Sequence, residues 1–332
     1  MFDIHPTKPF VVARDGVAGG ALRQAVVAIG NFDGVHRGHR AVIATAQARA
    51  RALGAPAAAL TFEPHPRSFF QPDAPSFRLN SETGKLRLLA ATGIDGAIVL
   101  TFDAALAGLT AGEFVARILV DKLGIAGAVS GYNFYFGKDR GGSPDFLAAE
   151  GARRGFAVDI VPPFAHRGRR VSSGAIRDLL AAGNIADATD LLGHPWFVTG
   201  IVVHGDKRGR ELGFPTANLR LESDCGLKHG IYAVRAGLGA SRYDGVASFG
   251  RRPMFDNGAP LLEVNLFDFT GDLYGETIDV AFIAWIRAEA RFDTIAELTR
   301  RMDEDARAAR EALARAPDAF PPIGPLTIAS PS

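Results

Sequence analysis

Three things are scarce in this chain of 332 residues: cysteine, excess charge and long apolar runs. Cys225 is the single cysteine, so an internal disulfide and a thiolate metal cluster are both excluded. The 37 Lys and Arg residues nearly balance the 36 Asp and Glu residues, whereas nucleic-acid-binding proteins usually carry a basic excess. We therefore expect no nucleic-acid partner.

No apolar run approaches the roughly 18 residues of a membrane span, and residues 1–6 lack the basic segment followed by an apolar one that begins a secretion signal. We expect a cytoplasmic protein without a membrane partner, and the sequence leaves its oligomeric state open. The length and the 47% of hydrophobic residues favour two globular domains. We place them at 1–193 and 194–332, because the pattern changes near Gly193.

The first domain alternates short apolar segments with helical ones, which predicts an α/β fold with a doubly wound parallel sheet. Thr110 and Glu113 have the spacing of a capping box and predict the start of one helix. In such sheets, ligands bind beyond the carboxyl ends of the strands. The expected strands are Ala25–Gly30, Ala57–Phe62, Gly96–Leu100, Ala126–Ser130 and Ala157–Val161.

The second domain has strands without long helices between them, which predicts an antiparallel β-barrel or sandwich. Strict alternation places Leu262 and Val264 in the core and Glu263 on the opposite face of its strand. A helix from about Thr294 to Ala314 closes the chain. The expected strands are Trp196–Val203, Ile231–Ala236, Tyr243–Ser248, Leu261–Phe267 and Thr277–Trp285.

The segment Gly30–His39 joins the first strand to a helix predicted over Arg40–Leu53. Its three glycines permit close backbone approach to a ligand, and the N–H groups of a helix N-terminus attract anions. As zinc ligands, His36 and His39 would need partners that the neighbouring residues, apart from Asp33, do not supply. Two other interpretations are that they are structural histidines, or that they stabilise charge on phosphate oxygens during phosphoryl or nucleotidyl transfer. We favour the second of these.

The segment Gly205–Leu219 contains glycines and three basic residues suited to a polyphosphate. Within it, Thr216 and Asn218 offer neutral oxygens to Mg²⁺, although a solvated hairpin loop is the alternative. The chain contains no Walker A sequence, so phosphate binding must use another geometry.

Two further segments each have a functional and an ordinary interpretation. Phe62–Phe70 is predicted as a proline-containing loop whose aromatic rings either line a pocket for a planar ring or pack beneath the loop. Ser172 is expected to cap a short helix bearing Arg177, which is either a plain helix start or a second anion contact.

The order of these motifs resembles that of the bacterial bifunctional riboflavin kinases and FAD synthetases. Gly30–His39 matches the H-x-G-H nucleotidyltransferases, and Gly205–Leu219 looks like the riboflavin kinase signature with G-F-P-T-A-N. The resemblance implies that the C-terminal domain phosphorylates riboflavin with ATP and Mg²⁺ to give FMN. The N-terminal domain would then transfer AMP from a second ATP to FMN, giving FAD and pyrophosphate. Further matching segments are Phe62–Phe70, Gly131–Gly137, Ser172–Arg177 and Asp272–Gly275.

The resemblance also implies roles for single residues. In adenylyl transfer, the residues at the ATP phosphates and nucleotide would be His36, His39, Asn133, Gly30, Phe32, Asp33, Ser172 and Arg177. In the kinase, the residues that bind ATP would be Gly205, Lys207, Arg210, Thr216 and Asn218, the last two with Mg²⁺. Glu263 would be the general base that takes the hydroxyl proton, as its predicted place away from the core allows. Contacts to the flavin would come from Phe62, His65 and Arg291.

Two positions depart from the family pattern. Gly174 stands where Ser or Thr is commoner, and Met254 stands where Thr is frequent. The first loses a hydroxyl that would bind phosphate, and the second alters a loop of the kinase. One alternative function is a riboflavin kinase whose N-terminal domain only binds nucleotide, and another is a flavin carrier without turnover.

Overall fold

The computed structural model describes residues 9–16, 20–73, 77–204, 216–222, 224–251 and 260–323. The chain divides into two compact units, the first comprising Met1–Ser76, Glu82–Val171 and Ile323–Ser332, and the second Phe77–Ser81 and Ser172–Pro322. None of the helices in the described ranges is long and apolar enough to cross a membrane.

The first unit is built on a six-stranded parallel sheet with the strand order β1-β4-β3-β2-β5-β6. This confirms the predicted doubly wound α/β fold. Its central strands are fully buried, as their continuous apolar runs require. The strands are β1 (Val11–Arg14), β2 (Val26–Ile29), β3 (Ala57–Glu63), β4 (Gly96–Thr101), β5 (Gly127–Gly131) and β6 (Ala157–Val161).

The helices of this unit follow its strands. Thr110 and Glu113 form the predicted capping box, since each accepts a hydrogen bond from the backbone N–H of the other. The helices are α1 (Arg37–Leu53), α2 (Pro66–Phe70), α3 (Glu82–Ala90), α4 (Ala104–Ala107), α5 (Ala111–Glu113), which continues as a π-helix over Phe114–Lys122, a 3-10 turn over Lys138–Arg140, and α6 (Pro144–Arg154). A small hairpin of β7 (Ala165–His166) and β8 (Arg169–Arg170) follows β6.

The sheet has a point at which the direction of strand addition reverses. β2 lies between β3 and β5, and Ile29 near its carboxyl end is level with Leu60 of β3 and Ser130 of β5. The segments that follow these three strands therefore start at one edge of the sheet. This is the kind of crevice in which α/β proteins bind nucleotides.

The second unit is a closed antiparallel barrel with the order β10-β13-β12-β11-β14-β9. Leu262 and Val264 are fully buried while Glu263 is partly exposed, which confirms the predicted alternation. The strands are β9 (Phe197–Val203), β10 (Ala217–Arg220), β11 (Gly230–Leu238), β12 (Ser241–Arg251), β13 (Pro260–Leu266) and β14 (Thr277–Arg287). The helices are α7 (Ser173–Ala182), α8 (Ile185–Leu192) and α9 (Ile295–Arg315), of which α9 packs on the barrel through Ala309 and Leu313.

Two local predictions were wrong. The helix expected to begin at Arg40 begins at Arg37, because His36 serves as its cap. Part of the segment predicted as a loop, Pro66–Phe70, is a short helix, since proline is pre-organised for a first helical turn and His65 caps it. In the segment Gly205–Leu219, residues 217–219 belong to β10, and residues 205–215 lie outside the described ranges.

Candidate active sites

His36 caps helix α1. Its Nδ1 accepts a hydrogen bond of 3.2 Å from the backbone N–H of His39. A neutral imidazole that accepts at Nδ1 carries its proton on Nε2, so this bond assigns the tautomer of neutral His36. In this tautomer the Nε2 atom of His36 is a hydrogen-bond donor.

The two imidazoles are held in a stack. Their ring centroids lie 3.6 Å apart with an angle of 10° between the planes, and Phe32 contacts His39 edge-on at 5.3 Å. The loop that carries them is strained, because Phe32 and Val35 adopt positive φ angles of 50° and 40°. Strain of this kind is common where a loop must present side chains to a ligand.

Gly38 packs closely against the ring of His36. A Cβ at position 38 would lie 3.3 Å from Cε1 and Nδ1 of that ring and 3.6 Å from Cβ of Phe164. Such a contact is tighter than ordinary van der Waals packing, so an added Cβ would require the imidazole to shift by a few tenths of an ångström. This gives a physical reason for the glycine of H-x-G-H.

His39 has an unusual electrostatic environment. Its Nδ1 is buried and has no hydrogen-bond partner in the described structure. Burial lowers the pKa of His39 well below 6.5, and repulsion from His36, whenever that ring is protonated, and from Lys85 lowers it further. The ring is therefore neutral near pH 7. In the described ranges, no group of three or more His, Cys, Asp and Glu side chains is arranged to hold a metal ion.

Other predicted residues of the first unit lie near the same edge of the sheet. Asn133 follows β5 and is exposed, with its Oδ1 3.3 Å from the position of a Cβ at Gly131. Gly30 directly follows β2, and a Cβ there would lie 3.4 Å from the ring of Phe32. Asp33 is buried in the loop between Gly30 and α1. The fold thus brings these residues and the two histidines to the ends of adjacent strands.

The predicted flavin contacts differ in exposure. Phe62 is buried against Phe102 and Phe114, and His65 caps α2 by accepting from the N–H of Arg67 at 3.1 Å. The exposed aromatic surface lies at the following helix α2, within the segment Phe62–Phe70 for which a pocket wall was one of the two interpretations. There Phe69, Phe70 and Phe102 pack edge to face at centroid distances of 5.3 to 5.7 Å, and Phe70 is 64% exposed.

Ser172 and Arg177 belong to the second unit. Ser172 caps α7 as predicted, with Oγ accepting from the N–H of Ala175 at 3.2 Å. The Nε of Arg177 donates to the carbonyl of Phe77. A Cβ at Gly174 would meet only Oγ of Ser172, at 3.9 Å, so the fold has room for the commoner Ser or Thr.

The predicted kinase residues meet on the barrel. Asn218 lies directly opposite Glu263 in the β10–β13 ladder, and Glu263 lies opposite Ser248 in the β12–β13 ladder. Residues opposite each other in a ladder present their side chains on the same face. Thr216 immediately precedes β10, and its carbonyl lies 3.5 Å from Nδ2 of Asn218, which is only 5% exposed. Four predicted positions lie outside the described ranges: Gly205, Lys207, Arg210 and Met254.

Arg291 is exposed in the segment that links β14 to α9. This segment is tied down by an ion pair that sequence reasoning missed. Nε of Arg287, at the end of β14, lies 2.7 Å from Oδ1 of the buried Asp305 of α9. The separation of the partners by 18 residues gave no local signal.

Both halves of the chain match known protein families. The FAD synthetase family model matches residues 20–175, and the riboflavin kinase model matches residues 192–313. A bifunctional riboflavin kinase/FMN adenylyltransferase of Pseudomonas fluorescens is 43% identical over 87% of this chain and 93% of its own length. Proteins of the same name from Escherichia coli K12 and Bacillus subtilis are 42% and 35% identical, over 86% and 92% of this chain and 92% and 96% of their own lengths.

A solved structure shows the same two-part fold. It is described as a macrolide-efflux protein from Streptococcus pneumoniae, is 30% identical, and aligns with a TM-score of 0.80 over 91% of this chain and 99% of its own. Both family models and the curated relatives agree on flavin chemistry. The family and the enzyme class expected from the two motifs are thus confirmed. The chain belongs to the family of bifunctional riboflavin kinases/FMN adenylyltransferases.

Proposed function

We propose that this chain carries out both reactions of its family with two separate sets of residues. The first reaction transfers phosphate from ATP to the ribityl hydroxyl of riboflavin and gives FMN. The second transfers AMP from ATP to FMN and gives FAD and pyrophosphate. Both family matches span their halves of the chain, so a kinase with an inactive N-terminal domain is not favoured.

The adenylyl transfer is assigned to His36 and His39. The observation that carries this assignment is the stacked imidazole pair at the start of α1, at the point of the sheet where strand order reverses. The Nε2–H of neutral His36 and the helix N-terminus supply donors to oxygens on which negative charge develops in the transition state. Such a reaction needs positioned donors and no nucleophilic side chain. The other residues that we assign to ATP in this reaction are Gly30, Phe32, Asp33 and Asn133 of the first unit and, from the family resemblance, Ser172 and Arg177 of the second.

The kinase reaction is assigned to Glu263 and its cross-strand partner. Glu263 would take the proton from the riboflavin hydroxyl as that oxygen attacks the terminal phosphorus of ATP. Asn218 and Thr216 supply oxygens beside this carboxylate, a donor set that suits Mg²⁺, which would neutralise charge on the ATP phosphates. Gly205, Lys207 and Arg210 are the other residues that we assign to ATP in the kinase. Phe62 and His65 of the first unit and, separately, Arg291 of the second stay as proposed flavin contacts.

Three broader predictions belong to the same proposal. The functional domains are 1–193 and 194–332, and the partners are small molecules. A cytoplasmic location agrees with the presence of one buried cysteine, Cys225, and with the use of ATP in both reactions.

One assay tests the whole assignment. The purified chain is incubated with riboflavin, ATP and Mg²⁺, and the flavins are separated by chromatography over time. We expect FMN to appear first and FAD second, and chelation of Mg²⁺ to stop FMN formation. Absence of both products would refute the proposal, FMN without FAD would support the kinase-only alternative, and bound riboflavin without ADP release would indicate a carrier.

A further inference from the structure

Lys85 of α3 is a buried lysine that the proposed mechanism does not use. Only 3% of the residue is exposed, and its Nζ donates to Oε1 of Glu63 at 2.7 Å and to Oγ1 of Thr61 at 3.1 Å. Both acceptors are on β3. A buried ammonium group is costly unless it is paired, so the site is built around this side chain.

The hydrogen bonds continue from Lys85 to the loop that carries the two histidines. Thr61 is fully buried, and its Oγ1 lies 3.3 Å from the carbonyl oxygen of Asn31. A hydroxyl has one proton, and because Oγ1 accepts from Lys85, that proton is directed to Asn31. Asn31 immediately precedes Phe32, the first residue of the loop with a positive φ. The chain of contacts thus connects α3, β3 and the start of the strained turn.

The charge of Lys85 also affects one of the two histidines directly. After burial and the effect of a protonated His36, the Lys85 ammonium group is a further cause that lowers the pKa of His39. Glu63 balances the ammonium charge at 2.7 Å, with both side chains at most 10% exposed. The Lys85 ammonium group is therefore held between Glu63 and Thr61.

We propose that Lys85 is a positioning residue for adenylyl transfer, which through the Thr61 hydroxyl fixes the Asn31 carbonyl and so the loop that presents His36 and His39. Lys85 itself does not contact the reacting atoms. The proposal rests on the assignment of the two histidines to adenylyl transfer. It explains why an ion pair is buried beside a loop whose strained backbone needs support from its surroundings.

Steady-state kinetics of Lys85→Met in the full chain test this role. We expect the kcat of FAD formation to fall about 10- to 100-fold, the scale on which small misplacements of reacting groups act, with little change in the KM for FMN. Lys85→Arg, which keeps donors and charge, should recover part of the rate. Riboflavin kinase activity of the same polypeptide should not change. An unchanged kcat of FAD formation would overturn the proposal.

Two further variants separate positioning from a merely structural effect. Lys85→Met combined with Glu63→Met replaces the ion pair by apolar side chains, which commonly restores stability. We expect thermal stability to return while FAD formation stays slow, and recovery of both together would overturn the proposal. Arg49→Met removes the 2.7 Å ion pair with Asp159 between α1 and β6, and it should leave kcat unchanged. An equal loss in Arg49→Met would mean general destabilisation and would also overturn the proposal.

Measurements on the wild-type protein distinguish failure of the proposed function from failure of the role proposed for Lys85. If wild type makes no FAD from FMN and ATP, the proposed function fails and the role of Lys85 fails with it. If wild type makes FAD, His36→Asn abolishes it and Lys85→Met does not affect it, the role of Lys85 alone fails.

Discussion

Asn218 and Glu263 face each other directly across the β10–β13 ladder, on the face of the barrel opposite to Leu262 and Val264. The pairing places an amide and a carboxylate from different strands on one rigid surface. Chemistry that depends on their separation is therefore fixed by the register of the barrel.

Glu263→Gln should abolish the kinase reaction and leave the other reaction intact. Loss of a general base lowers a rate by about 10²- to 10⁴-fold, so FMN formation from riboflavin should fall by this factor. FAD formation from supplied FMN should proceed at the wild-type rate. Glu276→Gln, the same change at an exposed position of the same unit, is the control. Loss of both activities in Glu263→Gln would contradict the separation of the two sites.

Replacement of His36 should separate its capping role from its catalytic role. His36→Asn keeps an oxygen that can cap α1, whereas His36→Ala loses the cap at a cost of about 0.5–2 kcal/mol. We expect both variants to stop at FMN, because both lack the imidazole. Only His36→Ala should show a lower melting temperature by calorimetry. FAD formation by His36→Asn would mean that the cap, and not the imidazole, is what matters.

Gly38→Ala should impair adenylyl transfer without destabilising the protein. Alanine favours a helix over glycine by about 0.5–1 kcal/mol, but its Cβ would press on the His36 ring at 3.3 Å. We expect the rate of FAD formation to fall about tenfold or more. The matched control is Gly112→Ala in α5, where a Cβ meets no atom within 4 Å. Equal rates in the two variants would show that the ring tolerates the contact.

His39 should not titrate near neutral pH. Its pKa is lowered in the folded protein, so the unfolded chain binds the proton more readily and the free energy of unfolding decreases as pH falls below about 6.5. Above this pH, protonation of His39 does not change the free energy of unfolding. Proton NMR of the histidine rings, with His39→Gln for assignment, should show no titration of His39 between about pH 6 and 8. A midpoint near 6.5 would contradict the inferred burial.

Replacement of Gly174 by serine should improve ATP binding in FAD formation. Gly174→Ala should stabilise α7 by about 0.5–1 kcal/mol through helix propensity alone. Gly174→Ser has the same room and adds the hydroxyl found in much of the family. We expect only the serine variant to lower the KM for ATP in FAD formation. Identical kinetics of the two variants would show that the hydroxyl has no role here.

The strands of the sheet could be predicted because they are buried on both faces and read as continuous apolar runs. β1 was missed, since Val11–Arg14 is a short edge strand whose pairing with β4 depends on residues more than eighty positions away. The start of α1 was placed three residues late, because histidine is not a usual cap. Local sequence patterns therefore predicted most of the strands and helices of this sheet, while the residue at which an element begins depended on single side chains.

The candidate sites were predicted unevenly for a similar reason. Alternation alone placed Glu263 on the correct face, but its partner Asn218 depends on a register that no local pattern contains. Lys85 was missed because a lysine in α3 reads like any solvated helix residue, and its burial arises from Glu63, 22 positions earlier. Long-range pairs of this kind become visible only in the folded chain.

The cap of α1 has a consequence for adaptation. Because one side chain both starts this helix and is assigned to the reaction, selection for heat resistance cannot install the better caps Ser, Thr or Asp at position 36 while keeping the imidazole. A lineage that moves to a hotter habitat would have to strengthen α1 elsewhere along its length. Position 36 should then stay histidine even as the rest of the helix changes.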